Sequence, residues 1–313
     1  MATTVVLGAA GFLGSHLCDR LVESNRKVLG IDDLSTGSMS NLSQLRDNPS
    51  FRFVEANICQ GFEVRGEVDA VLNFACPASP LQYLRQPLHT LRTNSTGTEI
   101  ALELATAKGA RLIQASTSEV YGDPRIHPQK ETYRGSVSST GPRSCYDEGK
   151  RYGEALCMAY RREHGTNVGI VRIFNTYGPR LAATDGRVVS NFISQAIKGI
   201  PLTIYGAGLQ TRSFCYVDDL LDGVLKLLLS DECGPINLGN PHEVSVIELA
   251  ELVLELCESK SEIEFRELPV DDPIQRCPDI ALAQTVLDWQ PKTGLREGLS
   301  RTISWFRSNT QRF

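Results

Sequence analysis

The chain has 313 residues, of which 41% are hydrophobic and 22% charged, as is ordinary for a water-soluble globular protein. Its formal net charge of −5 argues against a nucleic acid or an anionic membrane as partner, because either normally requires a basic excess. No apolar run reaches the roughly 18 residues of a membrane-spanning helix. The N-terminus lacks the basic segment of a signal peptide, so we expect a cytoplasmic protein.

Nine cysteines are scattered along the chain, with no C-x-x-C pair and no Cys/His cluster at metal-ligand spacing. Their odd number and apolar or helical contexts are typical of reduced thiols in a cytoplasm. The five histidines are dispersed as well. We therefore expect no metal.

Short apolar segments alternate with amphipathic stretches through the first half. We predict strands at "TTVVLGA", "KVLGID", "FRFVEANI", "AVLNFA", "RLIQAST" and "NVGIVRIFN". Helices are predicted at "GSHLCDRLVES", from about Asn94 to Lys108, and around "SCYDEGKRYGE". Strands that alternate with such helices indicate βαβ units, so the predicted fold is α/β, with a Rossmann-type doubly wound parallel sheet.

The rhythm changes after "NTYGPR", where short helices and strands mix with Gly/Pro turns. This pattern predicts a smaller α+β lobe. We place a first domain at 1–174, rejoined by about 211–236 through "RSFCYVDDLLDGVLKLLL", and the second lobe at 175–210 and 237–313.

A glycine-rich turn follows the first strand, with Gly8, Gly11 and Gly14 spaced G-x-x-G-x-x-G before a helix. Glycines let the backbone approach a pyrophosphate, and the helix N-terminus offers it N–H groups. Asp32 and Asp33 end the second strand, where a carboxylate binds the adenosine ribose and repels a 2′-phosphate. NAD is therefore the predicted cofactor. The other predicted contacts in these turns and strand ends are Phe12, Leu13, Ser35, Thr36, Gly37, Asn57, Ile58, Phe74, Cys76 and Thr93.

Tyr146 and Lys150 lie four residues apart on a predicted helix and therefore project from one face. Alone, this spacing is more typical of a solvated helix face; beside a dinucleotide site it indicates a proton-transfer pair. The Lys150 ammonium and a positive nicotinamide ring are expected to lower the pKa of the Tyr146 hydroxyl, and both residues are predicted cofactor contacts.

The predicted strand "RLIQAST" ends in Thr117, followed by Ser118 and Glu119. The carboxyl end of a parallel sheet is where α/β proteins bind ligands. We expect the Thr117 hydroxyl to share the substrate's proton with Tyr146. The alternative is that Thr117 and Ser118 only cap the following turn.

Several long sequence motifs resemble those of a known protein family, and the resemblance covers essentially the whole chain after Thr4. "CPASP", "ASTSEVYGDP", "GPRSCYDEGKR", "RIFNTYGPR", "DGRVVSNF" and "QTRSFCYVDDL" resemble the extended short-chain dehydrogenase/reductases that modify nucleotide sugars, and among them the UDP-glucuronate decarboxylases (UDP-xylose synthases). The resemblance implies tightly bound NAD, a nucleotide uronic acid as substrate and a homodimer built from the helices near 94–108 and 146–160.

The residue after Thr117 bears on the reaction. Related dehydratases carry an Asp–Glu pair here to remove water, whereas Ser118 cannot protonate a leaving hydroxyl efficiently. Decarboxylation has no such need: oxidation at C4 places a ketone β to the carboxylate, CO2 leaves, C5 is reprotonated and the hydride returns to C4. We expect Glu119, or a water that it orders, to assist the reprotonation.

Further residues are assigned by resemblance. Arg276, in "VDDPIQRCPDI", is expected to hold the substrate carboxylate through paired hydrogen bonds. The alternative is a surface arginine that pairs with Asp271 or Asp272. The remaining expected nucleotide-sugar or diphosphate contacts are Asn175, Arg180 and Arg212.

Several positions depart from the decarboxylase pattern. Arg134 replaces a usual Trp, Ser138, Ser139 and Thr140 replace Asn-Pro-Ile, Asn57 replaces an acid near the adenine, and "LAATDGR" differs after Arg180. These changes leave a related uronic acid open as substrate. A 4-epimerase, a 4,6-dehydratase or a non-catalytic NAD-binding regulator are the alternative functions.

Overall fold

The computed structural model describes residues 2–267 and 275–309. Fourteen strands lie in these ranges: β1 (Thr3–Leu7), β2 (Lys27–Asp32), β3 (Phe51–Glu55), β4 (Val68–Asn73), β5 (Arg111–Thr117), β6 (Val168–Ile173), β7 (Thr176–Tyr177), β8 (Leu202–Tyr205), β9 (Thr211–Ser213), β10 (Cys215–Tyr216), β11 (Ile236–Leu238), β12 (Glu243–Ser245), β13 (Ile263–Arg266) and β14 (Gln275–Arg276).

The same ranges contain ten α-helices: α1 (Phe12–Glu23), α2 (Pro80–Arg85), α3 (Pro87–Arg92), α4 (Thr98–Lys108), α5 (Ser144–His164), α6 (Val188–Lys198), α7 (Val217–Leu229), α8 (Val246–Cys257), α9 (Ala281–Leu287) and α10 (Leu295–Ser308). No helix in the described part of the chain is both long enough and apolar enough to cross a bilayer.

The main sheet has seven strands in the order β11-β6-β5-β4-β1-β2-β3, all paired in parallel. Side chains alternate between its faces with a period of two. Val6 belongs to the hydrophobic cluster on one face, with Leu17 of α1, and Val5 to the cluster on the other, with Leu102 of α4. Both faces are therefore covered, and the predicted Rossmann-type α/β class is confirmed.

The predicted helix at 94–108 begins later than expected. Residues Thr93–Gly97 form a turn of π-helix, and α4 begins at Thr98. In this turn Asn94 Nδ2 donates to the carbonyl oxygen of Thr90 at 3.0 Å. A single π turn inside an otherwise α-helical stretch has no pattern that hydrophobic periodicity could reveal.

Small sheets lie outside the main sheet, among them one of three strands in the order β12-β9-β14 and one pairing β13 with β8. The central strand β9 runs antiparallel to β12 and parallel to β14, which sets Arg212 directly opposite Arg276. The stretch 217–238 supplies α7 and β11, and β11 extends the main sheet. The predicted division at 174, 211 and 236 stays a prediction.

Candidate active site

The glycine-rich turn is shaped by close backbone contacts. Gly8 has φ +79°, and a Cβ there would lie 2.8 Å from the backbone of Ala75. A Cβ on Gly14 would lie only 2.0 Å from the Gly8 carbonyl oxygen. The turn therefore packs β1 against the start of α1, and Gly11 caps that helix without a side-chain hydrogen bond. The first backbone N–H groups of α1 are consequently available to an anion.

Two carboxylates stand at the end of β2. Asp32 accepts hydrogen bonds from the backbone N–H of Ala10 at 2.9 Å and of Leu34 at 2.8 Å, so it also holds the glycine turn in place. Burial raises the pKa of Asp32, against the effect of these hydrogen bonds. Asp33 accepts from the Ser35 N–H at 3.0 Å and lies 3.7 Å from the His89 imidazole.

A cleft of about 440 Å³ opens between the glycine turn and these carboxylates. Ten predicted cofactor contacts line it: Gly8, Gly11, Asp32, Asp33, Ser35, Thr36, Ile58, Phe74, Cys76 and Thr93. Ala56, Ala75, Pro77 and His89 also line it but were not predicted. The first two adjoin predicted contacts at strand ends, whereas His89 lies on α3, and no local motif points to it.

The other predicted contacts lie around the cleft. Phe12 and Leu13 begin α1 and pack against the core. A Cβ on Gly37 would lie 3.0 Å from the Asp32 carboxylate. The side-chain oxygen of Asn57 accepts a hydrogen bond from the Cys59 N–H at 2.9 Å and caps a short helical turn.

Tyr146 and Lys150 lie on α5 and are 7% and 5% exposed, so the alternative of a solvated helix face is wrong. The Lys150 ammonium lies 5.8 Å from the centroid of the Tyr146 ring and donates to the Ala115 carbonyl oxygen at 3.0 Å. The Thr117 hydroxyl lies close enough to the Tyr146 hydroxyl to lower its pKa. The fold thus brings together the three residues predicted for proton transfer at C4.

The predicted direction of the Tyr146 pKa is wrong for the protein without cofactor. Burial raises the pKa of the hydroxyl above its ordinary value, the Cys76 thiol raises it further, and the nearby Thr117 hydroxyl opposes the shift. Spacing on a helix shows that an ammonium is near, but it does not show how deeply both groups are buried, and burial dominates here.

An unpredicted aromatic side chain fixes the ring of Tyr146. Tyr83, on α2, stacks on it with centroids 4.9 Å apart and planes within 9° of parallel. Tyr83 is buried, and its hydroxyl has no hydrogen-bond partner among the described residues. Such stacking favours one ring orientation. Nothing in the sequence around Tyr83 signals this contact.

Glu119 forms a buried charge cluster beside this pair. Its carboxylate is ion-paired with Arg276 and, at 2.6 Å, with Arg143. Burial alone would raise the pKa of Glu119, but the two guanidinium groups outweigh it and hold the pKa below its ordinary range. Glu119 is therefore ionised. Arg143, visible only as part of "GPRSC", was not predicted.

Arg276 is 5% exposed, so the alternative of a surface arginine is wrong. Its Nη2 donates to the Gly122 carbonyl oxygen at 3.3 Å, and its buried Nε has no partner among the described residues. Asp271 and Asp272, the alternative partners, lie outside the described residues.

Asp147, next to Tyr146 on α5, is a further buried acid that was not predicted. Burial and the charge of Glu119 raise its pKa to about 7, although Arg143 and Arg276 oppose the shift. Its Oδ1 has no hydrogen-bond partner in the described part of the chain.

The remaining predicted substrate contacts lie apart from one another. Arg180 pairs with Asp19 of α1 at 2.6 Å, and its buried Nη1 has no partner among the described residues. Asn175 accepts the Cys215 N–H with its carbonyl oxygen at 2.9 Å. Arg212 lies beside Arg276 on the neighbouring strand. Their roles towards the substrate stay predictions.

Two of the departures from the decarboxylase pattern, at Arg134 and at residues 138–140, precede α5 in the chain. Arg134 is exposed, and its carbonyl oxygen accepts from Arg151 at 2.8 Å. Ser138 Oγ accepts the Gly141 N–H at 3.0 Å. Ser118 is buried, and Thr117 accepts the Glu119 N–H at 3.2 Å, so Thr117 caps the turn as well as contacting Tyr146.

Fold and site together define a dinucleotide-binding protein with a buried tyrosine–lysine pair at its cleft. The chain belongs to the NAD dependent epimerase/dehydratase family, whose model matches residues 4–239. This assignment confirms the predicted family and the predicted cofactor NAD.

Two curated relatives and one solved structure extend the comparison. The chain is 51% identical to UDP-glucuronic acid decarboxylase 1 of Arabidopsis thaliana over 97% of this chain and 69% of the relative. It is 46% identical to UDP-glucuronic acid decarboxylase 1 of Xenopus tropicalis over 98% and 72%. A Bacillus cereus UDP-glucuronic acid 4-epimerase variant, solved with a fluorinated UDP-glucuronic acid and NAD, superposes with a TM-score of 0.86 at 28% identity, covering 98% and 99% of the two chains.

Proposed function

We propose that this protein is an NAD-dependent UDP-glucuronate decarboxylase that forms UDP-xylose with no net consumption of cofactor. The observation that carries the proposal is the Arg276–Glu119 ion pair, which lies near enough to Tyr146 for the charge of Glu119 to raise the pKa of its hydroxyl. A buried guanidinium next to the proton-transfer pair suits a sugar that carries a carboxylate. The named decarboxylases, similar over nearly the whole chain, support the same reaction.

The cleft fits NAD. The open N–H groups at the start of α1 suit its diphosphate, and the carboxylates of Asp32 and Asp33 suit its ribose hydroxyls. Gly8, which tolerates no Cβ, lets the turn pack closely against the backbone of Ala75 beside the cleft. NAD bound here supplies reversible acceptance of the hydride from C4 of the sugar.

Tyr146 moves the proton of the C4 hydroxyl. Burial keeps its own hydroxyl protonated in the free protein, and positive charge near the ring favours the phenolate that accepts the substrate's proton. The Lys150 ammonium supplies such charge at 5.8 Å from the ring centroid. The nearby Thr117 hydroxyl orients that of Tyr146, and Tyr83 holds the plane of the ring.

The 4-keto sugar is a β-keto acid. Its C5–C6 bond breaks, CO2 leaves, and the electron pair remains on an enolate whose oxygen Tyr146 and Thr117 can hydrogen-bond. C5 then takes up a proton. Because Glu119 is ionised, we assign this proton to a water that Glu119 orders, and not to Glu119 itself. Ser118, which carries no acid, leaves elimination of water without a proton donor at this position.

Arg276 holds the substrate carboxylate. Its Nε is buried without a partner among the described residues, and its Nη1 is paired with Glu119. A carboxylate that exchanges with Glu119 keeps the guanidinium paired, which avoids the cost of a lone buried charge. We also propose that Asn175, Arg180 and Arg212 contact the nucleotide diphosphate.

The test uses UDP-glucuronate labelled with ¹³C at C6, incubated with the purified protein without added reductant. We expect labelled CO2 and UDP-xylose in equal amounts. UDP-galacturonate without CO2 would identify a 4-epimerase instead, the function named for the superposed Bacillus cereus protein. Accumulation of a UDP-4-keto-pentose would show that the hydride does not return.

We further propose a homodimer built from α4 and α5. Ile100 and Leu104, one turn apart on α4, are partly exposed, as are Tyr152 and Leu156 on α5. Such i, i+4 pairs form apolar stripes of the kind that helix packing buries. Sedimentation at micromolar concentration should give twice the chain mass of 34.4 kDa, and a monomer would contradict the proposal.

A cytoplasmic location is proposed as well. All nine cysteines are free thiols, which suits a reducing compartment. Fractionation of the native host should recover the protein with the cytoplasm, and recovery in an oxidising compartment would contradict the proposal.

A further inference from the structure

A histidine, a glutamate and a cysteine from three separate segments meet outside the residues that line the cofactor cleft. His127 Nε2 lies 2.8 Å from Glu243 Oε2, although 116 residues separate them in sequence. One ligand atom from each of His127, Glu243 and Cys277 lies within 4.8 Å of the others. We propose that this group, the His–Glu–Cys cluster, binds one Zn²⁺ ion.

The donor set selects the metal. Imidazole nitrogen, carboxylate oxygen and thiolate sulfur are the three ligand types that zinc takes in proteins. The sulfur disfavours Mg²⁺ and Ca²⁺, which prefer oxygen ligands. Ligand atoms lie roughly 2.0–2.3 Å from a tetrahedral zinc ion, so atoms already within 4.8 Å of one another need only side-chain adjustments. The fourth position is left for water.

Neighbouring groups hold the ligands in place. The Thr211 hydroxyl donates to Glu243 Oε1 at 2.7 Å, which leaves Oε2 to face the imidazole. The backbone of Cys277 is bonded to Gln129 twice: its carbonyl oxygen accepts the Gln129 N–H at 2.8 Å, and its N–H donates to Gln129 Oε1 at 2.9 Å. Hydrogen bonds to the ligands of this kind are the usual support of a metal site.

The His–Glu–Cys cluster is partly exposed to solvent on one side and buried on the other. The His127 and Glu243 side chains are 31% and 25% exposed, whereas Cys277 is buried. The Cys277 thiol lies 3.3 Å from the Pro241 carbonyl oxygen, to which it donates. Zinc would enter past the imidazole, form a Zn–S bond and release the thiol proton to solvent.

The positions of the three proposed ligands along the chain explain why the spacing of cysteines and histidines predicted no metal. His127 follows the turn after β5, Glu243 begins β12, and Cys277 follows β14, so no two of them lie within one motif. A zinc ion here would tie these three segments together. Because Cys277 directly follows Arg276, the ion would also anchor the strand that carries the buried guanidinium.

Binding is tested on the full chain after chelator treatment, without substrate, so its result is independent of the proposed reaction. Zn²⁺ is titrated against a chromophoric competitor, and Co²⁺, which occupies tetrahedral zinc sites, reports a sulfur ligand through a thiolate-to-metal charge-transfer band. The variants are Cys277→Ser and His127→Gln. Matched controls are Cys233→Ser and His164→Gln, which alter the same residue types elsewhere. Circular dichroism confirms that each variant is folded.

We expect one equivalent of Zn²⁺ to bind to the wild type and to both controls. Affinity should fall at least tenfold in each cluster variant, and the charge-transfer band should be lost in Cys277→Ser. No stoichiometric binding by the folded wild type would overturn the proposal. Equal affinity in the cluster variants, which would indicate adventitious surface binding, would overturn it too.

Discussion

The cofactor cleft and the sugar end of the active site are held in place by different kinds of interaction. At the cleft, position is set by backbone: Gly8 and Gly14 allow contacts that no other residue could make, and Asp32 is held by two N–H groups. The sugar end, which we define as Glu119, Arg143, Asp147 and Arg276, is set by buried charge. The first should respond to added volume, and the second to altered charge and to pH.

Tyr146→Phe tests proton transfer alone, since the substitution changes neither the backbone at the cleft nor the charges at the sugar end. Turnover of UDP-glucuronate should fall about a thousandfold, because the transferable proton is gone, while NAD content and the free energy of unfolding stay near those of the wild type. Initial rates of CO2 release measure the loss. Retention of near wild-type turnover would exclude Tyr146 as the proton-transfer residue.

Gly14→Ala tests the backbone side. Its methyl group would lie 2.0 Å from the Gly8 carbonyl oxygen, so the turn must move away from α1. We expect NAD to be lost during purification and the free energy of unfolding to fall by about 3 kcal/mol. Absorbance of released nucleotide and urea denaturation measure the two effects. The control is Gly294→Ala, where a Cβ meets nothing within 4 Å; equal effects in both variants would refute the argument.

Arg276→Met tests the charge side. Glu119 keeps only the Arg143 guanidinium, so we expect a loss of stability of about 3 kcal/mol and CO2 release about a hundredfold slower, with NAD content unchanged. Adding Glu119→Gln should restore part of the stability but not activity, because it removes the carboxylate that has lost Arg276, while Arg143 keeps Asp147 at 4.0 Å. Arg266→Met removes an exposed pair with Glu264 and serves as control. If this control lost as much stability, burial would not be the reason.

Asp147→Asn tests the predicted pH response of the same end. The folded protein holds the Asp147 proton up to a pKa of about 7, against an ordinary value of 3.8. The protonated acid therefore contributes stability below pH 4, and this contribution is lost as pH rises through 7. Ionised Glu119 changes the free energy of unfolding with pH in the opposite direction. Because its pKa is lowered, this change falls at more acid pH.

We expect the variant to show a shallower fall in the free energy of unfolding between pH 4 and pH 7 than the wild type, as measured by urea denaturation across this range. Glu163→Gln, at an exposed position on the same helix, should leave the slope nearly unchanged. Identical slopes in wild type and Asp147→Asn would contradict the assigned pKa.

The predicted cofactor contacts come together at one cleft because their sequence signals are local. Gly8, Gly11 and Asp32 lie within one βαβ unit, and the fold of such a unit places its turns and strand ends at one cleft. Tyr146 and Lys150 share a helix face for the same reason. Longer motif strings located Glu119 and Arg276, although 157 residues separate them.

What the sequence missed depends on contacts between distant segments. Tyr83 reaches Tyr146 only because α2 packs against α5, and Arg143 meets Glu119 across 24 residues. The raised pKa of Tyr146 in the protein without cofactor could not be predicted, because burial is a property of the whole fold. The π turn before α4 could not be predicted either, since hydrophobic periodicity does not reveal a single π turn.

One hydrophobic cluster runs through both predicted lobes, from Val6 of the main sheet and Leu17 of α1, past Leu220 of α7, to Leu249 of α8 and Ile303 of α10. The lobes should therefore melt in one cooperative transition. A fragment ending at residue 174 would uncover the edge of β6 and the apolar side chains that α7 covers. Evolution or design could exchange loops around the sugar, but hardly a whole lobe, without repacking this shared interior.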